Sequence, residues 1–482
     1  MLFIGVDLGT SSVKLVLFDG KSVLRTVRKS YPVFHPQDGW SEQNPEDWYT
    51  AVLSGIGKLL HGISAGQVAG ISFSGQMHGL VTLDAEGRVI RRAILWNDGR
   101  CEKQVRYLNE EIGEEYLVSH TGNIAFAGFT APKLLWMREN EPELFAKIDK
   151  IMLPKDYIAY RLTGRAATDV TDASGTLLFD VKNRCWSREM CDVCGISGSM
   201  LPDVLESCET SGTVLAGTCG MFGLRPDTRV VIGAGDNAAS AVGVGAVSDG
   251  DCNLSLGTSG TMLVASGKYL ELSNHAIHFF CHANGGFHTL ACILSAASAE
   301  EWWIKGILDS DYNFEEGKIR ELGTNRVFFL PYLAGERSPH NDTGLRGVFF
   351  GLSGETTRED MTLAVMEGVA FAFRDNLEIM RRSGICVRRA TVSGGGASSA
   401  LWRTILCNVL GIPLLNTHGR DAAGLGAALI AARGCGTVPE DPLADCELCE
   451  PDAELVRRYE ERYHLFREYF SALEHVPRRG AQ

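Results

Sequence analysis

Residues 3–18 read FIGVDLGTSSVKLVLF: two apolar, β-branched runs joined by the small polar turn Gly9-Thr10-Ser11, with one acid, Asp7, at the end of the first run. Such a pattern predicts a strand–turn–strand hairpin, because β-branched residues suit the pleated backbone and glycine suits the turn. The acid is out of place in it. A carboxylate beside a turn of backbone amides has two readings. It caps those amides, or it serves a divalent cation, since magnesium takes one or two carboxylates together with waters and substrate phosphate oxygens.

Residues 251–265, DCNLSLGTSGTMLVA, restate the theme: Leu-Gly-Thr-Ser falls on Leu-Gly-Thr-Ser, and Ser255 stands where the first copy has Asp7. A repeat at that spacing predicts two domains that each open on the same hairpin. The chain of 482 residues is also too long for one ordinary core. The boundary is expected near residue 245, giving domains 1–245 and 246–482.

Between the hairpins, 67–83 (QVAGISFSGQMHGLVTL) predicts a strand, a polar bend and a return strand. Pro45-Glu46-Asp47-Trp48 reads as a helix start, with proline and acids in the first turn. Strands alternating with helices make an α/β protein. In VVIGAGDNAASAVGVG an apolar strand leads through a glycine turn into a small-residue helix, with Asp236 and Asn237 at the junction. Asp236 is either an N-cap or a general base that takes a proton from a hydroxyl attacking a terminal phosphoryl group, with Asn237 orienting the substrate. A third glycine cluster, TVSGGGASSALWRTILCNVLG at 391–411, predicts strand, turn and helix. It exposes amides to a phosphate or ribose, or it lets a strand pack closely on a helix. Together the two Gly-Thr-Ser turns and this cluster suggest a nucleotide clamp, although neither GxxxxGK[ST] nor a complete dinucleotide fingerprint is present. Lys14 is a phosphate contact or a solvated strand lysine.

Composition narrows the classes. Hydrophobic residues make up 45% and charged residues 22%, as in a globular protein. The net charge of −13 argues against a nucleic-acid binder. No apolar run approaches a membrane span, and the first residues lack the features of a signal peptide, so the cytoplasm is the expected compartment. Fourteen cysteines scattered without a framework read as reduced thiols, the CxxC pairs Cys191/Cys194 and Cys446/Cys449 included.

Taken in order, Asp7-Leu8-Gly9-Thr10, Gly235-Asp236-Asn237, Leu256-Gly257-Thr258-Ser259 and Ser393-Gly394-Gly395-Gly396 resemble the FGGY family of carbohydrate kinases, nearly end to end. The strings SGQMHG (74–79), LWNDGR (95–100), FTAPKL (129–134), LPKDY (153–157), FLPYLAGERSP (329–339) and GVFFGL (347–352) are most similar to the members that act on D-xylulose. The resemblance implies two α/β domains of related ribonuclease H-like fold, as in the actin and hexokinase superfamily, with a cleft between them. The first domain would bind sugar and the second ATP, with Mg2+.

Carried onto this chain, the resemblance makes Asp236 the base on the C5 hydroxyl and gives Asp7 to the metal and phosphates. Met77, His78, Trp96, Asn97, Asp98 and Asn237 fall to the sugar. Thr10, Ser11, Lys14, Gly257, Thr258 and Ser259 fall to the phosphates, and Gly395, Gly396 and Ser399 to the adenosine. A homodimer is compatible with it; nucleic acid and membrane are not expected partners. Two other readings stay open: an FGGY kinase for another sugar or polyol, and a superfamily ATPase acting as a chaperone. The latter needs a peptide-binding domain, whereas the tail after residue 436 reads as an acidic loop and one amphipathic helix.

Overall fold

The computed structural model describes residues 1–419, 421–444 and 446–473. These fall into two compact units: residues 1–247, 279–288 and 421–442 form the first, and 248–278, 289–420 and the tail from 443 form the second.

The first unit is built on the opening hairpin. Leu2–Leu8 runs antiparallel to Ser12–Phe18, with Leu8 opposite Val13, and parallel to Val68–Gly75 on its other edge. The sheet continues through Arg229–Val231 to Thr210–Thr213 on one side and to Val23–Ser30 on the other, and Ala234–Gly235 also pairs with Val68–Gly75. Strand periodicity sorts the side chains between two cores. Ile4, Val6, Leu8 and Leu15 pack with Trp48, Val52 and Ile56 of the Pro45–Leu59 helix, whereas Phe3, Val16 and Phe18 pack with Ala238, Ala239, Val242 and Ala428.

That second face is covered by two helices of small residues, Asp236–Gly243 and Ala422–Gly434. Glycine is required at the approach. A Cβ on Gly5 would lie 2.3 Å from the Gly424 carbonyl oxygen, and one on Gly426 would lie 1.8 Å from that of Ala239. The helix 422–434 therefore belongs to the first unit although it comes late in the chain.

One expected element is different. Val81–Leu83 does not return onto Val68–Gly75; it pairs with Lys150–Met152 in a separate sheet. Both edges of Val68–Gly75 are already taken, by Leu2–Leu8 and by the 229–235 segment, so a return strand has no free edge to join.

The second unit repeats the plan. Asp251–Leu256 and Gly260–Ser266 form a hairpin, and Asp251–Leu256 runs parallel to Arg389–Ser393, which leads on to Leu414–Asn416 and Glu447–Cys449. Its core packs on the helices Arg358–Arg382, Ala400–Leu410 and Ala453–Leu473. The last of these buries Tyr459, Tyr463 and Phe466 and pairs Arg462 with the buried Glu367. Residues beyond 473 of the predicted terminal helix lie outside the described residues. In the second hairpin Leu256 lies opposite Gly260, one residue earlier than the matching Leu8–Val13 pair, so its turn is shorter by one.

Among the described residues no helix is long and apolar enough to cross a membrane, and no cluster of side chains could hold a metal by histidine, cysteine and acid ligands in threes. Cys191 and Cys194 lie buried on the Arg188–Cys194 helix.

Candidate active site

In the first unit the strands Leu2–Leu8, Val68–Gly75 and Ala234–Gly235 run parallel, with Asp7 opposite Ser74 and Ser74 opposite Ala234. Adjacent strands are about 4.8 Å apart, so Asp7 and the start of the Asp236–Gly243 helix flank one strand, about 10 Å from each other. Both acids stand at strand carboxyl ends, where open α/β sheets bind their ligands.

Asp236 is the first residue of its helix, with Gly235 as the N-cap, and so is not itself the cap. Its Oδ1 accepts from the Asn237 backbone amide at 2.7 Å and from Asn237 Nδ2 at 3.0 Å. Burial, then the charge of Asp7, push the Asp236 carboxyl up to about 7, against the pull of the Asn237 amide. A carboxyl at that position is half ionised near neutrality, which suits a general base.

Asp7 Oδ1 accepts from Ser74 Oγ at 3.0 Å. Burial and the neighbouring Asp421 carboxylate push Asp7 up to about 6, opposed by the Ser74 hydroxyl, Lys14 and Arg28. Asp421, just ahead of the Ala422–Gly434 helix, pairs with Lys14 at 2.9 Å. Two carboxylates held at the end of a sheet are hard oxygen donors whose mutual repulsion a divalent cation would relieve. The donor set therefore fits magnesium.

Of the other residues expected at the sugar, Met77 and Asn237 lie beside the Asp236 segment. Met77 is buried against Gly235, where an added Cβ would meet its Sδ at 2.9 Å, and Asn237 Nδ2 lies 4.0 Å from the same sulfur. His78 is left-handed (φ 69°) and its Nδ1 lies 2.6 Å from the Gly175 carbonyl oxygen, so Nδ1–H donates and Nε2 is the accepting nitrogen. Its own carbonyl accepts from Thr130 Oγ1 at 3.0 Å and from Lys133 Nζ at 2.9 Å. Burial brings the Lys133 ammonium down to about 7.

Trp96 and Asn97 are exposed, and Trp96 Nε1 donates to Thr10 Oγ1 at 3.0 Å, joining LWNDGR to the first Gly-Thr-Ser turn. That turn is held by Gln43 Nε2 on the Thr10 carbonyl at 2.6 Å and leaves Ser11 exposed. Asp98 is different: buried, it accepts from Arg100 Nε and Nη2 at 2.8 and 2.7 Å and from the Ser41 amide at 2.6 Å, so both its oxygens are engaged in holding the loop.

In the second unit the carbonyls of Gly257 and Thr258 are tied inward. Ala297 N donates to the first at 2.8 Å, and Ala296 N, Ser298 N and Ser298 Oγ donate to the second at 3.1, 3.2 and 2.7 Å. Thr258 and Ser259 are exposed on this fixed turn. Gly394 (φ 92°) lies directly on it, where a Cβ would come within 2.6 Å of the Leu256 carbonyl. From there Gly395, Gly396 and Ser399 line a cavity of ≈ 770 Å³, with Glu300, Glu316 and Tyr312 opposite. Ser399 Oγ caps the Ala400–Leu410 helix on Trp402 N at 3.0 Å and donates to Glu316 Oε2 at 2.5 Å. Glu300 is 5% exposed and pushed up to about 8 by burial and the charge of Glu316.

Asp421, Gly175 and Lys133 were not singled out from the sequence. Asp421 had a signal of the same kind as Asp236, an acid immediately before a helix of alanines and glycines. Gly175 had none, since its role is to make room for His78.

Residues 2–243 match the N-terminal domain, and residues 252–435 the C-terminal domain, of the FGGY family of carbohydrate kinases. The chain is 39% identical over 484 residues to the xylulose kinase of Escherichia coli (strain K12), covering 98% of this chain and 99% of that protein. Among solved structures it is similar to a xylulose kinase from Brucella ovis, with a TM-score of 0.93 at 38% identity, covering 99% of this chain and 100% of that one. It is also similar to a ligand-bound xylulose kinase from Lactobacillus acidophilus, with a TM-score of 0.92 at 26% identity, covering 98% and 99%.

Proposed function

The chain belongs to the FGGY family of carbohydrate kinases, and on that premise we propose that it transfers the terminal phosphoryl group of ATP to D-xylulose, giving D-xylulose 5-phosphate and ADP. The observation that carries the reading is the pair Asp7 and Asp236 at the carboxyl ends of the two strands that flank Val68–Gly75, with Asn237 bonded to Asp236 and Met77 packed against Gly235 beside it.

In this mechanism the C5 hydroxyl oxygen attacks the terminal phosphorus, its proton passes to Asp236, and ADP leaves. Asn237 fixes the accepting carboxylate through its amide. His78, held by Gly175 and by the Lys133 grip on its carbonyl, accepts a hydrogen bond from a sugar hydroxyl. Trp96 and Asn97 wall the sugar, and Asp98 acts through Arg100 and Ser41 to hold them. Phosphoryl transfer depends mainly on positioning and charge stabilisation. The Gly257-Thr258-Ser259 turn and Thr10, Ser11 and Lys14 therefore serve the phosphates. Gly395, Gly396 and Ser399 serve the adenosine, so the first domain takes sugar and the second nucleotide. Mg2+, when bound, would neutralise phosphate charge; Asp7 would hold it, with Asp421 as the neighbouring carboxylate. The reading places the enzyme in the cytoplasm, with a homodimer compatible.

The test is an ADP-release assay on the purified protein with Mg-ATP and a panel of pentuloses, polyols and aldonic acids. D-Xylulose is expected to give the highest kcat/KM, and a different preferred acceptor would overturn the substrate.

A further inference from the structure

Lys155 is wholly buried, and its Nζ meets three equally buried carboxylates: Asp156 Oδ1 at 2.6 Å, Asp169 Oδ1 at 2.9 Å and Asp172 Oδ2 at 3.6 Å. Such a cluster costs more in desolvation than apolar side chains of the same volume would, so packing alone does not account for it. Its connections do. Asp169 Oδ2 accepts from Thr171 Oγ1 at 2.6 Å, Thr171 N at 2.9 Å and Ser207 Oγ at 2.8 Å. With its proton directed to Asp169, Thr171 Oγ1 accepts from the Gly235 amide at 2.9 Å. Gly235 is the N-cap of the helix that begins at Asp236.

We propose that Lys155, Asp169 and Thr171 form a strut that positions Asp236, with Thr171 as the contact that fixes the peptide leading into the base. The chain of bonds runs unbroken from a buried ammonium to the amide one residue before the reacting carboxylate. Gly235 has no side chain to anchor it; strand pairing opposite Gly75 holds one edge of this segment, and the Thr171 hydroxyl holds the Gly235 amide itself. Lys155 is a positioning residue here: it sets the orientation of Asp169, and Asp169 that of the hydroxyl.

The inference rests on Asp236 being the base, and the test separates the two. Thr171→Val replaces the hydroxyl by a methyl of similar volume, and Thr171→Ser keeps the hydroxyl. Misplacing a reacting group by about 1 Å costs on the order of 10²-fold in rate. Thr171→Val in the full chain is therefore expected to lose roughly 10- to 100-fold in kcat, with KM for D-xylulose and for ATP close to wild type and a fall of a few degrees in Tm, because the Gly235 amide and an Asp169 oxygen each lose a buried partner. Thr171→Ser is expected to restore most of the rate. Unchanged kcat in Thr171→Val, a matching loss of substrate binding, or a serine variant no better than the valine one would each overturn the strut. Asp236→Asn measured alongside identifies the failure. If it turns over at near wild-type rate, the base assignment falls and the strut with it; if its kcat collapses while Thr171→Val is normal, only the strut falls. Lys155→Met is a further variant where it folds, but the threonine pair decides.

Discussion

Replacing Asp236 by asparagine is expected to slow turnover by about 10²–10⁴-fold and, in the same variant, to raise stability. The carboxyl is pushed from 3.8 to about 7 in the folded protein, and each unit is worth about 1.4 kcal/mol. A group whose folded value is raised in this way is an acid that the native state prefers protonated. Below pH ~4 both states hold the proton and nothing is lost; between ~4 and 7 the native carboxyl stays protonated while the unfolded one ionises; above 7 the native state carries the full penalty. That penalty is at most about 4 kcal/mol, and roughly half of it remains once partial exposure is allowed for.

Asparagine keeps an oxygen for the Asn237 amide but carries no charge. For the first unit, of about 280 residues, the entropy of unfolding is about 0.6 kcal/mol/K, so the gain is about 3–7 °C in Tm at pH 8. Thermal unfolding followed from pH 4 to 9 should show the two proteins converging at the acid end and separating as pH rises through 7. Activity should fall by about 10²–10⁴ in kcat, the usual worth of a general base. Equal Tm values at pH 8, or a difference that widens on acidification, would refute the link between burial, charge and base.

Three further outcomes follow from the site. Gly175→Ala places a methyl 2.5 Å from the His78 ring; overpacking costs about 1–3 kcal/mol, which in steady-state kinetics should raise KM for D-xylulose by about 5- to 150-fold and leave KM for ATP alone. Gly394→Ala forces a positive φ and a clash with the Leu256 carbonyl, so nucleotide titration should show weakened ATP binding with sugar binding intact, and Tm should fall. Glu300→Gln removes an acid held at about 8, whose cost is present above that pH and lost below ~4.5; the variant should gain Tm at pH 9 and lose that gain as pH falls, measured by thermal unfolding.

Much of this was legible because local chemistry and fold agree. A glycine turn between β-branched runs leaves little choice but a hairpin, Asp7 stood out as an acid inside such a run, and Asp236 stood out as an acid where a strand passes through a glycine turn into a small-residue helix. Pairing partners were not legible. Val81–Leu83 has the pattern of a return strand, but the two edges it would need are filled by residues near the start of the chain and near 230. The pairing of Lys14 with Asp421 joins residues about 400 apart, and no local pattern reports it. Thr171 was invisible for the same reason: its role depends on one oxygen meeting the amide of residue 235. The length of the second turn shows the limit from the other side, since a matching tetrapeptide hid a hairpin that closes one residue sooner.

The Ala422–Gly434 helix, laid over Gly5 and against the Asp236 helix, has a consequence for how the protein is made. One face of the sheet that carries both acids has only the Asp236–Gly243 helix over it until residue 434 has left the ribosome. Synthesis at about 5–20 residues per second leaves roughly 10–40 s between the end of the first long segment and the arrival of that helix. Through that interval Phe3, Val16 and Phe18 lack the part of their cover that Ala428 and its neighbours supply. A fragment ending near residue 245 would lack that part of the cover permanently, so the sheet that carries both acids depends on a segment made almost two hundred residues later.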